Sequence, residues 1–281
     1  MNVVSVQIYS DHNTPWNRLK IDFPISIENT NWPGNGCGLC NQIFKLINTI
    51  AFNNEHDIYV DLFSKDYLKG NTMCASEIFN LEEMRNLGFR LYDIVDMDYN
   101  QNYVIKTNPG VYMLYESNKD YFTHIVKNLR FSNKYENIAN NILINKGLSN
   151  KLVNLVHLRI DIDFKDHLIA KFGLEKYLDL IERYREQIYQ NCDNSIPLVL
   201  LLEETDHPFV KELQKDYDVY MFEKSEVLSV DDKVEGREIF ALVDLLTAKK
   251  LNINNFIGYC GSTFALMLNE LIKCEKSIIL K

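Results

Sequence analysis

Apolar residues recur along the chain in two rhythms, short unbroken runs and helical spacing, and the two alternate. Residues 3–9 read as a strand, followed by a loop in which Trp16, Trp32, Pro33 and the glycines 34, 36 and 38 mark irregular backbone. A helical pattern starts near Asn41, with Ile43, Phe44, Ile47 and Ile50 on one stripe, and a strand is expected at 57–63. Helix is predicted at 75–86, strand at 89–95 and again at 111–115, then helix at 119–129 and 135–144, stopped near Gly147. The alternation becomes cleaner from Leu152. Strands at 153–160, 196–202, 218–222, 255–260 and 276–280 are separated by helical stretches at 174–189, 208–215, 237–249 and 263–273. Strands alternating with helices of this length predict an α/β fold with parallel sheets and right-handed crossovers. Two Rossmann-like domains, residues 1–148 and 149–281, joined near 145–151, fit that order best.

Composition changes this picture mainly by exclusion. With 281 residues, 46% of them hydrophobic, the chain can bury a large core and reads as a soluble globular protein of about two domains. Its apolar runs, such as 196–202, fall well short of the ~20 residues that a membrane span needs. Residues 1–10 show no basic region followed by an apolar stretch, so a cytoplasmic location is expected, with the six cysteines as thiols. The net charge of −9 argues against nucleic acid or an anionic membrane as partner, because both require a positive field. A local phosphate pocket remains compatible with it. No internal repeat or low-complexity tract appears.

The most informative stretch for chemistry is the end of the run 153–160, which reads His157-Leu158-Arg159 and passes into Asp161-Ile162-Asp163. In extended backbone His157 and Arg159 share a face, and in open α/β sheets ligands collect beyond the carboxyl ends of strands. A guanidinium there suits phosphate; the competing reading is an arginine paired with Asp161 or Asp163. A second constellation is Gly258-Tyr259-Cys260-Gly261-Ser262-Thr263-Phe264, a strand end, a glycine turn and a helix start. Free amides and hydroxyls at a helix start suit a pyrophosphate, and plain capping by Ser262 is the alternative. A third runs from Gly34 through Gly36, Cys37, Gly38 and Cys40 to Asn41 and Gln42, where amides could reach sugar hydroxyls; the alternatives are a flexible capped loop or redox use of the CxxC pair. Asp161 with Asp163, and Asp96 with Asp98, have the DxD form of metal-dependent GT-A glycosyltransferases, and Glu203, Glu204 and Asp206 pose the same question. His12, His56, His124, His167 and His207 have no metal or nucleophile-partner spacing, and there is no Ser/His/Asp arrangement or GxxxxGK[ST] loop.

Taken in order, these segments resemble the GDP-fucose-dependent fucosyltransferase superfamily, and its protein O-fucosyltransferase branch in particular. Gly38-Leu39-Cys40-Asn41-Gln42 resembles a G-x-x-N-Q loop, His157-Leu158-Arg159 followed by Asp163 an H-L-R-x-x-x-D motif, and Phe256-Ile257-Gly258 through Ser262-Thr263-Phe264 an F-I-G-x-x-x-S-[ST]-F segment. Leu129-Arg130-Phe131-Ser132 resembles a segment that precedes the second domain. The resemblance implies a GT-B fold with two sheets facing across a cleft, residues 149–281 holding the nucleotide-sugar donor and residues 1–148 the glycan or protein acceptor. It implies an inverting fucosyl transfer in which Arg159 holds the β-phosphate, Gly261, Ser262, Thr263 and Phe264 cradle the diphosphate, and His157 and Asp163 line the nucleotide pocket. Asp244 would accept from the guanine edge, Asn41 would face the fucose or the acceptor hydroxyl, and Gly38 and Gln42 would bind substrate from the same loop. No cofactor or metal is expected. Some relatives carry a glutamate in the first loop where this chain reads Gly38-Leu39-Cys40, so no base is assigned. A rhamnose transferase and a non-catalytic nucleotide-binding protein with a degenerate site are the alternatives.

Overall fold

The computed structural model describes residues 6–8, 26–29, 38–52, 57–60, 63–66, 71–96, 104–107, 111–230 and 236–281. Outside them lie Trp16, Trp32, Pro33, residues 34–37 with Cys37, His12, His56 and Asp98. The chain divides into two compact units, Met1–Asn137 with Lys233–Leu242, and Ile138–Asp232 with Val243–Lys281. Among the described residues no helix is long and apolar enough to cross a membrane.

The first unit contains β1 (Val6–Ile8), β2 (Ser26–Asn29), α1 (Leu39–Phe52), β3 (Asp57–Val60), β4 (Phe63–Asp66), β5 (Asn71–Met73), α2 (Ala75–Ile78), α3 (Leu81–Asn86), β6 (Leu91–Asp93), β7 (Val104–Thr107), α4 (Met113–Ser117), α5 (Lys119–Asn128) and the start of α6 (Asn133–Asn145). Five strands run parallel in the order β1-β7-β2-β3-β6, and β4 and β5 form an antiparallel ribbon. Helix α1 is buried on nearly every side, so its polar residues need partners. The buried amide of Asn48 supplies two: Nδ2 donates to Val111 O at 3.1 Å, and Oδ1 accepts from Leu114 N at 3.1 Å. That bracket explains a correction. The strand expected at 111–115 is instead a turn leading into α4, because Asn48 meets its backbone groups and Phe44 packs against the rings of Tyr112 and Tyr115. The helix expected at 75–86 is broken at Phe79, which bridges to Phe131, while Asn80 donates its N–H to Arg130 O and caps α3.

The second unit contains β8 (Leu152–His157), α7 (Ile162–Phe172), α8 (Leu174–Asn191), β9 (Leu198–Leu201), α9 (Pro208–Asp216), β10 (Val219–Met221), α10 (Lys224–Val230), most of α11 (Arg237–Lys249), β11 (Asn252–Tyr259), α12 (Thr263–Leu271) and β12 (Cys274–Leu280). All five strands are parallel, in the order β10-β9-β8-β11-β12. Strands β8 and β9 are covered on both faces, which is why they read as unbroken apolar runs rather than alternating ones. Asn154, a polar residue within β8, is wholly buried and bonded to Asp193 O and to Asn254. On α8, Tyr177, Ile181, Tyr184 and Ile188 form the stripe that faces the sheet, and fully burying a side chain such as Ile188 contributes about 1.5–3 kcal/mol. From β8 the chain winds outward to β10, then crosses back to β11 on the other side. The strand order therefore reverses between β8 and β11, and their carboxyl ends flank the crevice that such a reversal opens.

Candidate functional site

Strand β8 ends at His157, short of the 160 expected from the sequence, and the residues beyond it sort by burial. Leu158 and Ile160 are buried in the core, while the Arg159 side chain keeps 33% of its surface exposed. The Tyr184 hydroxyl, from α8, fixes this backbone: it donates to His157 O at 2.8 Å and accepts from Arg159 N at 3.3 Å. Burial pushes the Tyr184 phenol up, against the opposing bond from Arg159 N and the Arg159 charge, so it stays protonated. His157 lies with its ring stacked on Phe264, centroids 4.9 Å apart. Burial, with Arg159 adding repulsion, lowers its pKa to about 3, so the ring is neutral, and its buried Nδ1 has no partner among the described residues.

Helix α12 begins where β11 ends. Glycine in the turn between them leaves room for a ring: a Cβ on Gly261 would fall 2.4 Å from Cε1 of Tyr259 and displace it. Ser262 caps the helix, with Oγ accepting from Ala265 N at 3.4 Å, so the plain-capping reading of this residue holds in the structure. Ahead of that cap the N–H groups of Thr263 and Phe264 have no partner among the described residues, as expected for the first amides of a helix.

The neighbouring helix α7 was not legible as a helix in the sequence, and it changes the meaning of the acidic triplet. Asp161 is its N-cap, with Oδ1 accepting from Phe164 N at 3.0 Å, and Glu204 accepts from Ile162 N. Asp161 Oδ2 lies 2.8 Å from Arg159 Nη1, the pairing that had competed with phosphate binding. The Phe164 ring sits under the guanidinium, 5.4 Å from Cζ, and meets Tyr259 edge-on at 5.6 Å. Both oxygens of Asp161 are thus engaged by protein groups. No group of three or more His, Cys, Asp or Glu among the described residues is arranged to hold a metal ion.

His157, Arg159, Gly261, Ser262, Thr263 and Phe264 therefore share one sheet edge, linked through the His157–Phe264 stack and the Arg159–Phe164–Tyr259 chain of contacts. Asp163 is exposed in the first turn of α7. Asp244 is half-buried on α11; burial lifts its carboxyl to about 8, with Lys224 opposing and Glu226 reinforcing the shift. Among the described residues no hydrogen bond or ring contact ties Asp244 to the Arg159 group. In the first unit, Leu39 N at the α1 start donates to the buried carboxylate of Glu238, whose Oε2 would lie 3.6 Å from a Cβ on Gly38. Gln42 is buried and accepts from Ser64 N at 2.9 Å, whereas the half-buried Asn41 amide makes no hydrogen bond among the described residues. Cys40 is buried beside Glu238 and both push its thiol up, which keeps it protonated and unsuited to redox chemistry. Tyr184 and Glu238 carried no sequence signal, because each reaches its target from a distant helix.

No protein-family model matches the sequence, and no curated protein matches it. Solved structures match in fold. The chain is similar to POFUT1 in complex with GDP, at 13% identity and TM-score 0.55 over 91% of this chain and 97% of the other. It is similar to POFUT1 in complex with GDP-fucose, at 10% identity and TM-score 0.55 over 94% and 99%. A third likeness is to the NodZ alpha-1,6-fucosyltransferase co-crystallised with GDP, at 11% identity and TM-score 0.55 over 90% and 93%. At these identities the shared property is the fold, a mixed α/β arrangement with parallel sheets as in the GT-B fucosyltransferases.

Proposed function

We propose that this chain is a metal-independent inverting glycosyltransferase that moves L-fucose from GDP-fucose to a hydroxyl of a sugar or protein acceptor, with the donor held by residues 149–281. One observation carries the reading. At the point where the strand order reverses, an arginine from the end of β8 and two amides at the start of α12 share one edge, beside a buried histidine nitrogen, and neither these amides nor that nitrogen has a partner among the described residues. Cations and free helix amides at such a crevice suit a diphosphate. In the reaction the bond from the sugar C1 to the β-phosphate oxygen breaks, the acceptor oxygen bonds to C1 and loses its proton, and the diphosphate leaves with added charge. Arg159 and the Thr263 and Phe264 amides stabilise that charge, which is the electrostatic share of the barrier. The neutral His157 ring adds a hydrogen-bonding nitrogen without adding charge. The fold shared with proteins crystallised with GDP and GDP-fucose supports the choice of nucleotide.

Asp244 takes the base in this reading. Guanine offers N1–H and an exocyclic amine, and an ionised carboxylate supplies two acceptors. Because the carboxyl is raised to about 8 in the free protein, GDP must displace a proton from it near neutrality. Affinity for GDP is therefore expected to rise with pH, by up to about tenfold per unit, and to level off above that pKa. Calorimetry with GDP, ADP and UDP between about pH 6 and about pH 9 measures this. Equal binding of the three nucleotides would overturn the GDP assignment. A flat pH profile for GDP would remove Asp244 while leaving the diphosphate site standing. Binding without turnover of GDP-fucose towards any acceptor or water would favour a non-catalytic nucleotide-binding protein.

A further inference from the structure

The pairing of Arg159 with Asp161 invites a simple conclusion, that the guanidinium is already spent on a carboxylate. The geometry argues otherwise. Asp161 is paired with Arg159 through Oδ2, 2.8 Å from Nη1, while its Oδ1 accepts from Phe164 N at 3.0 Å. Among the described residues no two-pronged hydrogen-bonded grip of the kind that joins Arg185 to Glu212 ties the two side chains. The Nε–Nη2 edge of the fork has no partner among the described residues. Meanwhile the plane is braced from below by Phe164, itself pinned by Tyr259, and the Arg159 backbone N–H is held by Tyr184. The Asp161 side chain is only 6% exposed, so the contact is not a loose surface pair.

We propose that Asp161 is a positioning residue that fixes the Arg159 guanidinium with its Nε–Nη2 edge turned to an oxyanion, so that the diphosphate meets a cation already oriented. The inference rests on the donor reading above but makes its own demand: rotation of the guanidinium must be restrained before any ligand arrives. Fixing the group in advance removes its ordering cost from the reaction, and a loosened catalytic group loses on the order of 10- to 100-fold in rate.

The test uses Asp161→Asn and Asp161→Ser, both of which keep a capping oxygen for α7. In the full-length protein without ligand, nuclear magnetic resonance is expected to show separate, slowly exchanging Nη–H signals for Arg159, identified by their loss in Arg159→Lys. Both Asp161 variants should collapse them while leaving the melting temperature within a few degrees of the parent. With GDP-fucose, kcat should fall by about 10- to 100-fold and the donor KM should stay within about threefold. Retained signals in the two variants, or turnover equal to the parent, would each overturn the proposal. If the parent protein binds neither GDP nor GDP-fucose, the donor reading fails, and the Nη–H signals still decide whether Asp161 holds Arg159.

Discussion

Helices α7 and α12 leave the same sheet edge from neighbouring strands, β8 and β11, yet they present opposite chemistry. At α7 the first amides are taken by Asp161 and Glu204, and Asp163 adds a further acid in the first turn. At α12 the cap is a neutral serine, the first turn has no acid, and two amides have no partner among the described residues. Each arrangement satisfies the partial positive charge of a helix start, one with the protein's own carboxylates and the other by leaving room for an anion. A helix start is therefore not a phosphate site by virtue of being a helix start; what already occupies its amides decides. The division also explains the placement of Arg159. Asp161, the cap of α7, pairs with the cation, and the α12 amides without a partner among the described residues lie across the strand reversal from it.

The largest way to break this comparison is to keep the charge at Arg159 but lose the fork. Arg159→Lys should lower turnover of GDP-fucose by roughly 100-fold, because an ammonium cannot use the Nε–Nη2 edge. The fold should survive, since a cation still faces the buried Asp161; truncation to alanine would instead leave that carboxylate without its cation. Steady-state kinetics alongside thermal melting decide this, and near-normal turnover would reduce Arg159 to a structural ion pair. Next in size is Ser262→Asp, which gives α12 the chemistry of α7. Asp caps as well as Ser, so stability should hold or rise, while GDP affinity should drop at least about tenfold from repulsion between like charges. Unchanged affinity by calorimetry would place the diphosphate elsewhere. The smallest effect is expected from Ser262→Ala, which removes the bond to Ala265 N and should cost about 1 kcal/mol in urea unfolding.

Much of the second unit was legible because its signals are local. The apolar run before His157, the glycine turn and serine cap before α12, and the bounds of α11 all appear in the structure as the pattern implied. Where the chain was misread, the local signal was weak. Helix α7 buries only Leu168, so its periodicity has little to show, and its N-cap Asp161 looked like one half of an acidic pair at a strand end. At 111–115 a short run with Val111, Tyr112 and Tyr115 is compatible with strand or helix, and the buried amide of Asn48 settles it. The glycine-rich loop was legible as unusual, but not that Glu238 would accept from Leu39 N at the start of α1.

The sequence by itself determined where the strands of the second unit and most of its helices lie, which residues begin α12, and that a serine would cap it, because spacing and capping act over a few residues. Only the tertiary structure decided that β8 and β11 are neighbours at a reversal of strand order, that Tyr184 ties the His157 and Arg159 backbone, and that Asp161 occupies one corner of the guanidinium while the opposite edge stays open. Those outcomes depend on which distant segments share the cost of burying polar groups. Each such group takes the partner that the packed sheet brings within reach, and no short stretch of sequence specifies which partner that will be.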